Sequence, residues 1–493
     1  MTSFVEAARR EKLEALRRLG VAPYAYRFER TGRAHDVASA WKDGDETVHR
    51  LAGRLVALRP HGKTTFGHLL DPSGKVQLYF KADEVGADAY EVVKLLDLGD
   101  VVGVEGYLFR TRTGEVTLRV QRLTLLAKTL RPLPLGKEDE QGVRHGELAD
   151  PELRYRQRYA DLAVHPEVRE VFRLRARVVR AIRAFLDARG YLEVETPVLQ
   201  PLYGGATARP FTTHYEALDA TFYLRIADEL YLKRCIVGGL ERVYEIGHDF
   251  RNEGLSRFHN PEFTMAEWYQ AYADYHDTLD LTETLLSELV TSLFQTPTLE
   301  RRGATLSFTR PFARKDFYTL VRETAGLDLA AASEQQLRDA LLRRGAERQL
   351  VDALSGARLV DEVFKTYVEP TLIQPTFVLD YPIALSPLAK PKRGDPTRAE
   401  RWELFVQGTE LANSFSELND PDDQRRRFEQ QARFRAAGDD QAQRLDEDFI
   451  RALEYGMPPT GGVGLGVDRL VMTLADQPSI RDVILFPMLR PET

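Results

Sequence analysis

Between positions 250 and 263 the chain reads FRNEGLSRFHNPEF, which sets two arginines, a histidine, two glutamates and two asparagines among three phenylalanines. Two readings of such a stretch are open. It is a solvated hairpin loop, or it is a surface where guanidinium groups meet anionic oxygens and aromatic rings stack on a flat ligand. The flanking runs ERVYEIGHDFRNE and EFTMAEWYQAY have strand character and bracket GLSRFHNP, whose Gly254 and Pro261 are turn residues, so an antiparallel hairpin is expected. Alternation puts Phe263, Met265, Glu267 and Tyr269 on one face, with Arg251 and Glu253 of the other strand on the same side. Two carboxylates and an arginine make an odd core, because each buried charge costs several kcal/mol unless it is paired. Such a face makes sense beneath a polar ligand.

The C-terminal part repeats the theme. AERWELFVQGTELANSFSELND reads as two strands around Gln407 and Gly408, with Asn413, Phe415 and Glu417 alternating onto one face. GGVGLGVDRLVM follows as a glycine-rich strand running into a helix. Its spacing is not that of a dinucleotide fingerprint, since Arg469 stands where a third glycine would be needed. Bare backbone still lets a flat base approach closely, and Arg469 at the helix start can stack on that base or meet a phosphate.

These pieces need elements to hold them. Residues 48–128 read as five strands, with DPSG as a turn and YEVVKLL as a short helix between the third and fourth. That is the plan of an OB-fold barrel. Val76, Leu78 and Phe80 face one way and Gln77 and Tyr79 the other, while Phe66 and His68 share a face. A polar and aromatic outer face suits unpaired bases; the other reading, with Phe66 and Tyr79 in the core, stays open. We expect an N-terminal helical extension over 1–47, the barrel over 48–130, a linker or hinge over 131–160, and an α+β block over 161–493 with a helical insertion at about 296–375. REVFRLRARVVRAIRAFLDARG is a long helix ended by Gly190, and YLEVETPVL a strand broken by Pro197.

Composition narrows the classes. The chain has 493 residues, 43% hydrophobic and 29% charged, as in ordinary globular proteins. No window reads as a membrane span, and the charged amphipathic N-terminus is not a secretory signal, so a cytoplasmic location is expected. The formal charge of −7 argues against a uniformly basic nucleic-acid binder but leaves room for a local basic face. The single cysteine, Cys235, excludes an intrachain disulfide and a thiolate zinc cluster; its apolar setting suggests a buried structural thiol.

RGYLEVETPVL, FRNEGLSRFHNPEF and GGVGLGVDRL resemble motifs 1, 2 and 3 of the class II aminoacyl-tRNA synthetases. A barrel ahead of this block resembles subclass IIb, whose members handle lysine, aspartate and asparagine. ADELYLKR, the motif 2 region and NSFSELNDPDDQ are similar to its lysine-specific branch. The resemblance implies a catalytic domain on an antiparallel sheet flanked by helices, a homodimer through motif 1, and tRNA(Lys), L-lysine and ATP as substrates. It implies that Glu267, Tyr269 and Glu417 hold the ε-ammonium, with Phe415 lining the pocket. Gly205 and Glu229 would take the α-amino group, and Arg251 and Asn413 the carboxylate. Arg251 would also meet the α-phosphate, Glu253 the adenine amino group, and His259 and Arg469 the triphosphate, with Phe263 and Arg469 stacking on adenine; Arg251 and Arg469 are the catalytic pair. Glu403 and Glu410 would coordinate Mg²⁺, and Phe66, Gln77 and Glu115 would read the anticodon.

The residues support this independently in one respect. An ammonium has three donors, and Glu267, Glu417 and Tyr269 can accept all three. Two departures stand out. Strict alternation puts Glu410 opposite Asn413 and Glu417, so the metal pair requires a bulge near Leu411. Phe258 also occupies the position where the family often has arginine, with Arg257 one earlier. An aspartate or asparagine enzyme of the same subclass is the nearest alternative; a cation in place of Glu417 would favour aspartate, and none is there. A protein-lysylating paralogue would usually lack the barrel. A non-catalytic nucleic-acid-binding relative would be expected to lose Arg251, Glu403 or Arg469, and all three are present.

Overall fold

The structure, a computed structural model, describes residues 4–138, 144–436 and 445–492 and divides into two compact units, Met1–Val164 and His165–Thr493. In the first unit β1 (Val48–His61), β2 (Thr64–Asp71), β3 (Gly74–Lys81), β4 (Val101–Arg110) and β5 (Val116–Ala127) close into a barrel in the order β1-β2-β3-β5-β4. The β3–β5 pair is parallel, and the helix Ala87–Leu95 and β4 supply the crossover between them. Val76, Leu78 and Phe80 are buried inside; Gln77 and Tyr79 face outward, paired with His68 and Phe66 of β2. The outer-face reading therefore holds, and the core reading of Phe66 and Tyr79 does not.

Leu16 of the helix Phe4–Arg18 and Ala34 of the helix Ala34–Ala40 pack into the barrel core. The stretch expected as a linker or hinge carries secondary structure: Leu135–Glu138 pairs with Arg144–Glu147, and helices span Pro151–Arg156 and Arg158–Val164. Residues 139–143 of that stretch lie outside the described residues.

The second unit is built on eight strands. They are β6 (Leu192–Glu193), β7 (Arg242–Phe250), β8 (Glu262–Ala271), β9 (Ala313–Asp316), β10 (Thr376–Leu379), β11 (Arg401–Val406), β12 (Thr409–Ser416) and β13 (Thr460–Gly466), in the order β9-β10-β11-β12-β13-β8-β7-β6. The interior is antiparallel, as expected, but the two edge pairs, β6–β7 and β9–β10, are parallel. Helices α1 (Pro166–Asp187), α2 (Glu229–Val237), α3 (Tyr275–Phe294) and α4 (Val467–Leu474) accompany the sheet. α1 starts with proline in its first turn, where no amide donor is missed, and the chain leaves it through Gly190 at φ +76°.

Alternation sorts the sheet into two faces. Ala266, Trp268, Trp402, Leu404, Val463 and Leu465 enter one core with residues of α1, α3 and α4. Their neighbours Glu267, Tyr269, Arg401, Glu403, Gly462 and Gly464 point the other way. The Gln407–Gly408 turn has φ of +50° and +69°, the left-handed pair that matches strand twist in a two-residue hairpin. Leu404 pairs with Ala412 but Phe405 pairs with Glu410, so Leu411 is the extra residue of a β-bulge. The bulge turns Glu410 onto the face of Asn413.

Three expectations need correction. β7 ends at Phe250, so Arg251 and Glu253 lie in irregular chain beyond the strand. The motif 1 strand is only two residues long, and beyond Pro197 the pair Leu199–Gln200 joins a separate three-stranded sheet. The insertion at 296–375 opens with a hairpin, Thr298–Arg301 and Ala304–Ser307, and the edge strand β9 before its helices begin at Phe317.

Gly106 is a position in the barrel where only bare backbone fits. β4 shifts register between Glu105 and Gly106, and a Cβ on Gly106 would stand 1.9 Å from the Arg119 carbonyl oxygen of β5. Forced overpacking of this kind costs about 1–3 kcal/mol or more. Gly106→Ala should lower the denaturant midpoint of the first unit accordingly; an unchanged midpoint would show that the strands part without penalty.

Candidate active site

The outward face of five adjacent strands, β11, β12, β13, β8 and β7, forms the floor of the site. β13 contributes bare backbone at its centre. A Cβ on Gly462 would stand 2.1 Å from Glu417 Oε1 and 2.3 Å from Tyr269 Cε1, so those two groups fill the missing side chain's space. Glu267 lies next to them, accepting a hydrogen bond of 3.3 Å from the Tyr269 hydroxyl. The three groups proposed for one ammonium are thus neighbours.

This end of the floor is strongly acidic. Glu267 is 6% exposed and Glu417 fully buried, and burial pushes both carboxyls well above the ordinary range. For Glu267 the carboxylates of Asp228, Asp249 and Glu229 add to the rise. Glu229 opens α2, and Gly205, at φ +87°, comes close to it: a Cβ there would lie 3.2 Å from Glu229 Cβ. One turn along α2 the Lys233 amine is fully buried, 2.5 Å from Glu229 Oε1, ion-paired with Glu417 and 5.5 Å from the centre of the Phe415 ring.

Beside this lies a second buried cluster. The Arg225 guanidinium sits 2.5 Å from Glu245, 2.8 Å from Asp228 and 3.4 Å from Asp249. It fits because Gly247 has no side chain; a Cβ there would stand 2.0 Å from Arg225 Nη2. Burial, and then Asp249, push the Asp228 carboxyl up to about 9.

The other end is cationic. Arg251 lies over the Phe263 ring at 5.0 Å, and its Nε donates to the Ile226 carbonyl at 3.3 Å. Arg469 Nη1 donates to Glu410 Oε2 at 3.1 Å, and its Nη2 donates to His259 Nε2 at 3.2 Å. Partial burial and the Arg469 guanidinium hold the His259 imidazole below its usual pKa, a shift that favours the neutral ring this bond requires. Glu403 accepts from the Tyr381 hydroxyl at 2.7 Å. Asn413 Oδ1 accepts from Arg401 Nε at 2.9 Å. Glu253 is exposed past β7; its amide donates to the Arg251 carbonyl at 2.9 Å, and its carboxylate acts on the His259 imidazole. Phe258 packs against the main core while Arg257 is exposed.

Glu403 and Glu410 suit a divalent cation shared with phosphate. Magnesium usually takes one or two carboxylates and completes its shell with phosphate oxygens and water. Burial outweighs Arg401 to push Glu403 up to about 7, with Glu410 adding to the rise; a cation would relieve that strain. Against burial, Arg469 and Arg401 hold Glu410 low and ionised. Among the described residues no group of three or more His, Cys, Asp or Glu side chains could hold a metal by itself. The ion would depend on nucleotide oxygens.

On the barrel, Gln77 Nε2 donates to Glu115 Oε2 at 2.6 Å and His68 Nε2 lies 3.2 Å from Glu115 Oε1. Phe66, Tyr79 and Phe109 form a ladder of rings with centres 4.9 and 5.9 Å apart. Cys235 is half-buried rather than buried, and burial raises its thiol pKa.

The chain matches the family "tRNA synthetases class II (D, K and N)" over residues 150–490 and "OB-fold nucleic acid binding domain" over 49–126. It belongs to the class II tRNA synthetases of the D, K and N family. The synthetase is 52% identical over 487 residues to the lysine–tRNA ligase of Moorella thermoacetica, an alignment covering 99% of this chain and 98% of that one. It is 50% identical to the lysine–tRNA ligase of Carboxydothermus hydrogenoformans, over 98% of this chain and 97% of that one.

Sequence reasoning missed Lys233, Arg225, Asp228, Glu245 and Asp249 of this synthetase. The signals were there. Glu245, Gly247 and Asp249 alternate on β7 directly across from the β8 face, and Lys233 follows Glu229 at helical spacing. Asp228 yields a test. The native state keeps a proton there that the unfolded chain loses above about pH 4. Stability must therefore fall as pH rises from that point toward the raised native value. Asp228→Asn removes the requirement for the proton, so the drop in melting temperature of the ligand-free enzyme between about pH 6 and about pH 9 should shrink. An identical drop in the variant would place the proton elsewhere.

Proposed function

We propose that the synthetase is a lysine–tRNA ligase. The observation that carries this is the buried acidic end of the floor, where Glu267, Tyr269 and Glu417 meet around bare Gly462. An amino acid with a second ammonium at its tip complements that end; an aspartate or asparagine side chain does not. Lys233 does not reverse the argument, because Glu229 and Glu417 both face its charge and the pocket stays negative.

In this reading Glu267, Tyr269 and Glu417 hold the ε-ammonium beside Phe415, Gly205 and Glu229 take the α-amino group, and Asn413 and Arg251 orient the carboxylate. Phe263 and Arg469 sandwich adenine, Glu253 meets its amino group, and His259 and Arg469 contact the triphosphate. The lysine carboxylate attacks the α-phosphorus in line and pyrophosphate leaves, giving lysyl-adenylate. Arg251 stabilises the charge that builds on the non-bridging oxygens. Magnesium held by Glu403 and Glu410 would supply further neutralisation of phosphate charge. The terminal ribose hydroxyl of tRNA(Lys) then attacks the adenylate carbonyl and AMP leaves. No protein nucleophile is needed; positioning and electrostatics do the work.

The division of labour follows: residues 48–130 read the anticodon through Phe66, Gln77 and Glu115, and residues 161–493 perform the chemistry. A homodimer through motif 1 is supported by apolar side chains left exposed there, Leu192, Val198 and Leu199. A cytoplasmic location goes with the reaction; among the described residues no helix is long and apolar enough to cross a membrane.

ATP–pyrophosphate exchange tested against the twenty amino acids should respond to lysine alone. Glu417→Gln keeps the shape and removes the charge. Loss of one partner of a buried charge pair costs about 2–5 kcal/mol, and each 1.4 kcal/mol is about tenfold in affinity. The lysine KM should therefore rise at least about tenfold, while the ATP KM moves by less than about twofold. A lysine KM within about twofold of the parent would remove Glu417 from the ammonium site.

A further inference from the structure

Lys233 is a buried cation at the acidic end of the floor with no part in the proposed reaction. It is fully buried on α2, bridges the Glu229 and Glu417 carboxylates, and rests against Phe415. Both Glu417 oxygens lack a well-aligned hydrogen bond, so Lys233 supplies charge to that carboxylate without saturating it. Lone pairs remain for a second ammonium.

We infer that Lys233 is a positioning residue for lysine recognition, an internal ammonium that keeps Glu229 and Glu417 ionised and aimed so that each accepts one of the substrate's two amines. The inference rests on the lysine reading of this pocket. Charge counting supports it. Glu229, Glu267 and Glu417 carry three negative charges when ionised, and Lys233 offsets one. Two remain, and L-lysine brings two ammonium groups. Without Lys233 the pocket would hold one carboxylate too many for its ligand, and a proton would fill the gap.

The surroundings define how pH enters. Lys233 faces Glu229 from its own helix and Glu417 from beyond β12. Glu229 also feels Arg401 of β11. Tyr269 and Glu267 of β8 face the same carboxylates, and Asp228 and Asp249 act on Glu267 from α2's start and from β7. Burial raises the Glu229 and Glu417 carboxyls, and Lys233 is the first group that lowers each. Losing its charge must raise both carboxyls further, so ionising them for substrate requires a higher pH.

The test is exchange kinetics of Lys233→Met and Lys233→Gln in the full-length enzyme, with lysine and ATP varied separately from about pH 6.5 to about pH 9. Both variants should raise the lysine KM at least about tenfold near neutrality, with kcat and the ATP KM within about twofold. The penalty should shrink toward alkaline pH, because the acid limb of kcat/KM for lysine moves upward. In a Glu417→Gln background the further effect of Lys233→Met should be clearly smaller, since the two share one interaction. A lysine KM unchanged in both variants, or raised by the same factor at every pH, overturns the proposal. So does an effect confined to Lys233→Met, which would be packing, and so does joint loss of lysine and ATP kinetics in both variants, which would mean fold support. If Glu417→Gln alone leaves the lysine KM unmoved, the lysine reading of the pocket falls and the role of Lys233 falls with it. If Glu417→Gln raises it and the Lys233 variants do not, only the role of Lys233 is lost.

Discussion

Burying carboxylates is the constraint around which the second unit is arranged. An ionised carboxyl moved out of water is costly unless a cation or a proton accompanies it. Here Glu229, Glu245, Glu267, Glu417, Asp228 and Asp249 are all buried within one side of one sheet. Two internal cations, Lys233 and Arg225, face these carboxylates, and burial with Asp249 raises the Asp228 carboxyl. Two glycines make room for the crowded groups. Arg225 displaces any side chain at position 247, and Glu417 with Tyr269 displaces any side chain at position 462. The glycines of the floor are therefore where side chains from neighbouring strands cross bare backbone.

The same constraint orders the site along its length. The acidic end is buried, whereas Arg251, His259 and Arg469 at the other end remain partly open to solvent. That gradient suits a ligand with ammonium groups at one end and phosphates at the other. Arg469 joins the two halves of the cationic end, donating to Glu410 on one side and to His259 on the other. Because Glu410 owes its orientation to the Leu411 bulge, one inserted residue links the sheet's hydrogen-bond ladder to the placement of a carboxylate.

The barrel solves a different problem with the same grammar. Its inner face is apolar and its outer face carries rings and hydrogen-bonding groups, as strand alternation demands. Glu115 sits after the β4–β5 turn and yet reaches Gln77 and His68 across the parallel β3–β5 pairing. A surface that reads bases edge-on and stacks them needs that combination of fixed acceptors and exposed rings.

Much of this was legible in the sequence because it depends on local period. The five barrel strands, the faces of β8 and β12, the left-handed Gln407–Gly408 turn and the need for a bulge near Leu411 all follow from alternation and turn chemistry. Alternation together with charge put Glu267 and Glu417 on polar strand faces. What sequence could not decide was which charges meet across the fold. Lys233 reads as an ordinary helical lysine until α2 packs its amine between Glu229 and Glu417. Arg225 reads as a surface charge until Gly247 opens space for it. Arg251 and Glu253 look like strand residues until Phe250 ends the ladder. Side-chain period is set by backbone geometry within an element, so sequence carries it. The balance of buried charge is set by distances between elements far apart in the chain, and only tertiary packing determines those.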